Sequence, residues 1–208
     1  MTNIVKSITT AAFAIGLAVS AQAATVVPIS AVGSSSYPGY NDFYAIDVGP
    51  GSATTDWASF GQGASSKLNL DLGGVYQLSS VSVTDRVTSG GGNGGYVGGT
   101  TDFTTSFSLT VYTDGTFTTA VGSPLVFSKP IPGSPTGVAD FLSEFAVTGL
   151  SGRYVQYTVL AAGPSNNPGL SNISFTTRVP EPGTWALLVV GFGMVGFAAR
   201  RRKSAVAA

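Results

Sequence analysis

The chain has 208 residues, zero formal net charge, no histidine and no cysteine, and only 10 % of its residues are charged. That length allows one ordinary domain plus processing segments; without cysteine there is no disulfide, thiolate zinc site or thiol nucleophile, and without histidine the Ser-His-Asp machinery is absent. Four of the ten basic residues are the terminal run Arg200, Arg201, Arg202 and Lys203, so Ala24 to Pro180, with five basic and nine acidic residues, carries −4 and offers nucleic acid no basic stripe.

At the N-terminus Lys6 precedes an apolar run from Ala11 to Val19, then Ser20-Ala21-Gln22-Ala23. A charged start, a short apolar run and an A-x-A site read as a secretory signal peptide, residues 1–23, cut by signal peptidase between Ala23 and Ala24. The run falls short of the roughly 20 apolar residues that span a bilayer. A retained anchor is the alternative, and the small residues Ala21, Ala23 and Ala24 argue against it.

The body, residues 24–178, has the composition of an extracellular β domain: 28 glycines in the chain, abundant Ser and Thr, and too little charge for disorder. Leu68, Leu70 and Leu72 alternate with Asn69 and Asp71, the period of a half-buried strand. Val81 and Val83 repeat it within Ser79–Thr84. Phe107, Leu109 and Val111 do so before the turn pair Asp114-Gly115, Val155, Tyr157 and Val159 give another strand, and Ile173 with Phe175 the last. Seven or eight short strands between turn signals predict an all-β fold, an antiparallel sandwich. Trp57 is expected as a core anchor and Asn166-Asn167-Pro168-Gly169 as a turn.

Three segments, in order, resemble discoidin-like domains, also called coagulation-factor type C-like or galactose-binding-like jelly rolls. Leu68–Gly73 followed by Tyr76–Val81 is similar to that family's "LDLG…Y.LS.V" strand pair, and Phe107 to Gly115, FSLTVYTDG, to its "F.I.YS.DG" hairpin. Arg153-Tyr154-Val155 with Gly169–Phe175 is similar to its "RYVR" strand and closing "GLSEI.F". The resemblance implies a jelly-roll-like sandwich and a calcium loop at Asp47 and Thr55. Asn172, however, stands where a Glu is usual, and an amide in place of a bidentate carboxylate implies weak calcium or none. A metal-free loop with Thr55 in a turn is the other reading, and no further cofactor is expected. Galactose-binding members use an Arg and an Asn from the region of the Gly-rich loop Gly90–Gly99, which makes Arg86 and Asn93 ligand candidates. Tyr96 is an aromatic on the same loop. The loop itself lacks the Gly-Lys-Ser/Thr end of a phosphate cradle and reads first as a linker. Arg86 as a surface ion-pair residue is the plainer alternative.

Residues 179–208 read Val179-Pro180-Glu181-Pro182-Gly183, an uncharged apolar stretch Thr184–Ala199 near the lower limit for a transmembrane helix, and the basic run. The basic run keeps the C-terminus cytoplasmic. This order resembles the PEP-CTERM sorting signal, in which an exosortase acts at the Pro-Glu-Pro motif and releases the body from a transient inner-membrane anchor toward the surface of Gram-negative bacteria that make exopolysaccharide. An ordinary single-pass tail anchor is the alternative. The sandwich is thus expected to be flanked by a signal-peptide helix and a transmembrane helix.

Two functions stay open: a module that binds exopolysaccharide, and a structural or adhesive matrix protein without a specific sugar site. A loop end with an exposed aromatic beside Arg86 would favour the first, a flat Ser/Thr surface the second. Glu144 is the only Glu in the body and its Asp residues fall in turns and strand ends, so no catalysis is expected.

Overall fold

Alternating apolar residues need a surface to bury one face, and two sheets supply it for each other. The computed structural model describes residues 23–47, 56–86, 103–129, 142–163, 166–178 and 189–194. The strands are β1 (Thr25–Val26), β2 (Ser30–Gly33), β3 (Trp57–Ala58), β4 (Lys67–Asp85), β5 (Thr104–Tyr112), β6 (Ala120–Ser128), β7 (Leu142–Ala146), β8 (Ser151–Ala162) and β9 (Gly169–Thr177). Every pairing is antiparallel. One layer runs β2–β4–β8–β5–β6. In the other, β9 and β7 flank β4, while β1 and β3 pair with β9. The expected antiparallel all-β sandwich is the fold.

One correction concerns β4. The alternating segments at Leu68–Leu72 and Ser79–Thr84, expected as two strands, form a single strand of 19 residues. Its first half pairs with β2 and β8, its second with β7 and β9. Between the halves the register with β8 shifts from Asp71 to Tyr76. Gly73 takes φ +78°, and its N–H donates to Asp71 Oδ1 at 2.8 Å. A left-handed glycine in a bulge bends a strand without ending it, so the chain crosses from one layer to the other while still paired.

The core lies between the layers. Leu68, Leu70 and Leu72 from one half of β4 and Val81 and Val83 from the other are buried with Leu109, Val155, Val159, Ile173 and Phe175. Phe107 sits at its centre, stacked on Tyr157 at 4.9 Å and Phe127 at 5.1 Å and edge-on to Phe145 at 5.3 Å. Each such side chain contributes about 1.5–3 kcal/mol through burial. Trp57 is fully buried, as expected, and its Nε1–H donates to the Ser35 carbonyl at 3.3 Å.

Both ends of β4 reach the same end of the sandwich. Lys67 O accepts from Ser34 N, and Asp85 pairs with Leu170 beside Trp57. We call this the rim end. The bend of β4 marks the opposite, hinge end, where Arg178 N bonds Gln77 O and Thr177 N bonds Ala24 O.

The residues group into two units, Ala23–Arg178 and the two terminal segments Met1–Gln22 with Val179–Ala208. In the terminal unit the described residues are 189–194, which are helical. Among the described residues no helix is long and apolar enough to cross a membrane. The expected signal peptide, the motif at Val179–Pro182 and the run Arg200–Lys203 lie outside the described residues.

Candidate functional site

The rim end rests on two buried acid–base pairs. β4 delivers Asp85 and Arg86 in succession, and both are buried. Lys129, which follows β6, places Nζ 2.5 Å from Asp85 Oδ2, with both side chains 3 % exposed. Burial pushes the Asp85 carboxyl above its usual range, while Lys129 and the backbone N–H groups of Thr104 and Arg86 pull the other way. Burial also raises the neighbouring Tyr157 phenol far above its ordinary value. The second pair joins Arg86 Nε to Asp56 Oδ2 at 4.0 Å, with Asp56 fully buried and accepting a bond from Ser171 Oγ. Arg86 Nη1 also donates to the Asn167 carbonyl at 3.1 Å. Buried charges are tolerated when an opposite charge stands beside them, and here each has one, at 2.5 Å and 4.0 Å. Gly169 makes room for this packing: a Cβ there would stand 1.9 Å from the Trp57 carbonyl and 2.6 Å from Arg86 Cδ.

Aromatic side chains cover Arg86 on the solvent side. The Arg86 guanidinium lies 4.7 Å from the centre of the Tyr40 ring, which fixes that ring by a cation–π contact. Tyr37 meets Tyr40 edge-on at 5.8 Å and Phe60 edge-on at 5.3 Å. Backbone bonds set these loops: Tyr37 N to Ala58 O at 2.7 Å, Tyr40 N to Tyr37 O at 2.9 Å, and Gly61 N to Asn167 Oδ1 at 2.9 Å. The Ser35 hydroxyl accepts from Phe60 N at 3.0 Å. Phe60 remains 58 % exposed and Tyr37 38 %, with Phe43 exposed nearby on the 3₁₀ turn Asp42–Ala45. An aromatic patch held open to solvent by a rigid base has apolar faces to offer a ligand.

The structure places the expected site residues unevenly. Arg86 is at this end, and as a buried partner of Asp56 rather than a surface ion-pair residue. Thr55, Asn93 and Tyr96 lie outside the described residues. Asp47 is half-buried after the 3₁₀ turn, and Asn172 is half-buried in β9 opposite Thr84. Among the described residues no three acidic side chains gather around a cation position, and the fully buried Asp56 is already neutralised by Arg86. Sequence reasoning missed Tyr37, Tyr40, Phe60, Asp56 and Asn167. The turn Tyr37-Pro38-Gly39-Tyr40, two aromatics around a Pro-Gly pair, was the one available signal.

Similarity to known proteins accords with this geometry. The profile of the F5/8 type C domain matches residues 29–173, most of the chain. The chain belongs to the F5/8 type C domain family. The PEP-CTERM protein-sorting motif matches residues 178–203, so the F5/8 type C body carries the sorting motif that directs it through the exosortase pathway to the cell surface. No curated protein matches significantly. Among solved structures, the fold is similar to the lectin domain of lectinolysin complexed with Lewis B antigen, at 15 % identity, TM-score 0.53, covering 72 % of this chain and 93 % of that one. It is also similar to CpGH89CBM32-5 from Clostridium perfringens in complex with GalNAc-β-1,3-galactose, at 17 % identity and TM-score 0.51, covering 72 % and 94 %. A fucose binding module of Streptococcus pneumoniae matches at 14 % identity and TM-score 0.50, covering 72 % and 93 %. The shared feature is the fold.

Proposed function

We propose that the F5/8 type C body binds the polysaccharide of the cell's own surface through the rim end, after export and exosortase processing. The observation that carries this reading is the aromatic patch of exposed Tyr37 and Phe60 and half-buried Tyr40 on the buried Arg86–Asp56 base. Aromatic faces take the C–H face of a sugar ring at little entropic cost, because their base already fixes them. Sugar-bound structures of similar fold support the choice of ligand class. In this reading Asn93 and Tyr96 on the Gly-rich loop complete the site, and Arg86 acts mainly by holding Tyr40. Calcium plays at most a weak part through Asp47, Thr55 and Asn172.

Export in this proposal follows the addresses in the sequence. Signal peptidase cuts between Ala23 and Ala24, leaving a body of residues 24–178. The stretch Thr184–Ala199 spans the inner membrane while Arg200, Arg201, Arg202 and Lys203 hold its end in the cytoplasm, since moving each charge through hydrocarbon costs about 2.5–3.5 kcal/mol. Exosortase then acts at Val179-Pro180-Glu181-Pro182, where two prolines keep the segment extended and accessible.

The test is a glycan array probed with the wild type and with Tyr37→Ala/Phe60→Ala. Both positions are solvent-exposed, so the variant should fold, and its signal should fall at least tenfold. Equal signals from the two proteins would discard the rim as the site and favour the structural matrix reading.

A further inference from the structure

A second concave surface lies away from the rim, on the outer face of the layer β2–β4–β8–β5–β6. It is a groove of about 390 Å³ lined by Ser30 and Val32 of β2, Asn69 and Asp71 of β4, Tyr154 of β8, and the turn residues Gly115, Thr116 and Phe117. Asp71 stands four residues from the rim end of β4, or about 13 Å at the rise of a strand. Nothing in the rim reading uses this surface.

The groove is built from side chains fixed by one another. Phe117 adopts φ +56°, a left-handed conformation that costs a bulky residue about 1–2 kcal/mol. The turn holds it there: Asp114 O accepts from Phe117 N at 3.3 Å, and Asp114 Oδ1 accepts from Thr116 N at 2.8 Å. The result is a ring set edge-on to Tyr112 at 5.4 Å and to Tyr154 at 6.0 Å, forming one wall. Strain of this kind is stored more often at binding surfaces than in plain turns. Opposite, Asp71 is gripped by Arg153 through two bonds, Nε to Oδ1 at 2.7 Å and Nη2 to Oδ2 at 2.9 Å. The Arg153 guanidinium also lies 5.1 Å from the Tyr154 ring centre. Arg153 holds the Asp71 carboxyl below its usual range, so it is an ionised acceptor. Asn69 is held by the buried Gln156, whose Nε2 donates to Asn69 Oδ1 at 2.8 Å, while Tyr112 donates to Gln156 Oε1 at 3.3 Å.

We propose that this groove is a second carbohydrate site, taking one uncharged sugar residue within a polysaccharide, so that one domain bridges two chain segments. The proposal rests on the carbohydrate reading of the rim. Aromatic walls beside an amide, a carboxylate and a guanidinium match a ring with an apolar face and hydroxyls at its edge. Charge selects against acidic sugars: the Asp71 charge is cancelled by Arg153, and Asp114 at the turn adds a negative one. Asp114 lies in the turn next to the lining residues Gly115 and Thr116, so the groove's surroundings repel a uronate and leave a neutral sugar unaffected.

The test uses the full-length chain in mild detergent, run through gels containing a neutral galactan, mannan or glucan, with alginate as the acidic comparison. Polysaccharide-coated beads report bridging. Groove variants are Tyr154→Ala and Ser30→Trp, the latter filling the groove from an exposed edge-strand position that leaves the core untouched. Two sites on one chain raise avidity by roughly 10²–10⁴ over either alone. Each groove variant, and Tyr37→Ala/Phe60→Ala at the rim, should therefore weaken apparent binding at least tenfold and abolish bead bridging while leaving residual retardation. Combining groove and rim changes should remove retardation altogether. Wild-type retardation and bridging in both groove variants would overturn the second site and leave the rim reading intact. Complete loss of binding in the rim variant alone would also overturn it. A wild type that no neutral polysaccharide retards would sink both.

Discussion

Replacing Lys129 by Met tests whether the pair beneath the rim is a true buried ion pair. The substitution keeps most of the apolar stem and removes the ammonium that stands 2.5 Å from Asp85. Asp85 would then keep its charge in a site where its side chain is 3 % exposed, with only backbone N–H donors from Thr104 and Arg86. Breaking a buried pair in this way costs about 3–5 kcal/mol. For a domain of this size that corresponds to a fall in Tm of roughly 6–20 °C. The loss should depend on pH. The folded-state pKa of Asp85 is already raised above 3.8 by burial, and losing Lys129 raises it further. A raised carboxylate binds its proton more tightly when folded, so the variant gains stability as pH falls through the raised value, fully by the ordinary value near 3.8. Thermal melts followed by circular dichroism from neutral pH down to about pH 4 should show the gap to wild type closing on acidification. Adding Asp85→Asn to Lys129→Met should recover most of the loss at neutral pH, because a neutral amide still accepts the backbone bonds. A single variant that melts within 2 °C of wild type at pH 7, or a gap that widens in acid, would refute the reasoning.

Gly169→Ala should destabilise by about 3 kcal/mol or more and weaken glycan binding, since its Cβ would press on the Trp57 carbonyl and on Arg86; urea unfolding and the array together check this. Glu181→Ala should leave membrane topology intact but keep the body attached in a strain that carries an exosortase; release at the wild-type rate on an immunoblot would point to an ordinary tail anchor. Micromolar calcium should leave Tm nearly unchanged. A tight site would instead add about 2.7 kcal/mol at a hundred times its dissociation constant, which a melt resolves.

The parts of the fold legible in the sequence are those where apolar residues alternate with polar ones, whether the polar face meets solvent, as at Asn69 and Asp71, or is itself covered, as at Ser108 and Thr110. Leu68, Leu70 and Leu72, and Phe107, Leu109 and Val111, are the apolar positions of these alternations, and all are buried. β6 could not be read this way: its burial pattern is exposed almost throughout, and Gly122 and Pro124 break any alternation. The segments Leu68–Gly73 and Tyr76–Val81 read as two strands, because only the paired structure shows a left-handed glycine serving a bend inside β4. At the site, Arg86 was visible as an isolated charge. Its partner Asp56 lies thirty positions earlier, and Lys129 meets Asp85 from the end of another strand. Such pairs are set by strand order, which no local pattern encodes.

The two ends of the body share one edge. Thr25 pairs with Thr176, and the Thr177 hydroxyl donates to the Ala24 carbonyl at 3.2 Å. β9 then runs from Thr177 back to Gly169 beside Trp57, eight steps or about 26 Å at the rise of a strand. A body held by its C-terminal residue is therefore held at the hinge end, with Tyr37 and Phe60 at the far tip. A force applied between Arg178 and the rim would run along the length of β9, where the ladders to β1, β3 and β4 resist in shear rather than opening bond by bond. β9 thus spans the body from its last residue at the hinge end to the rim.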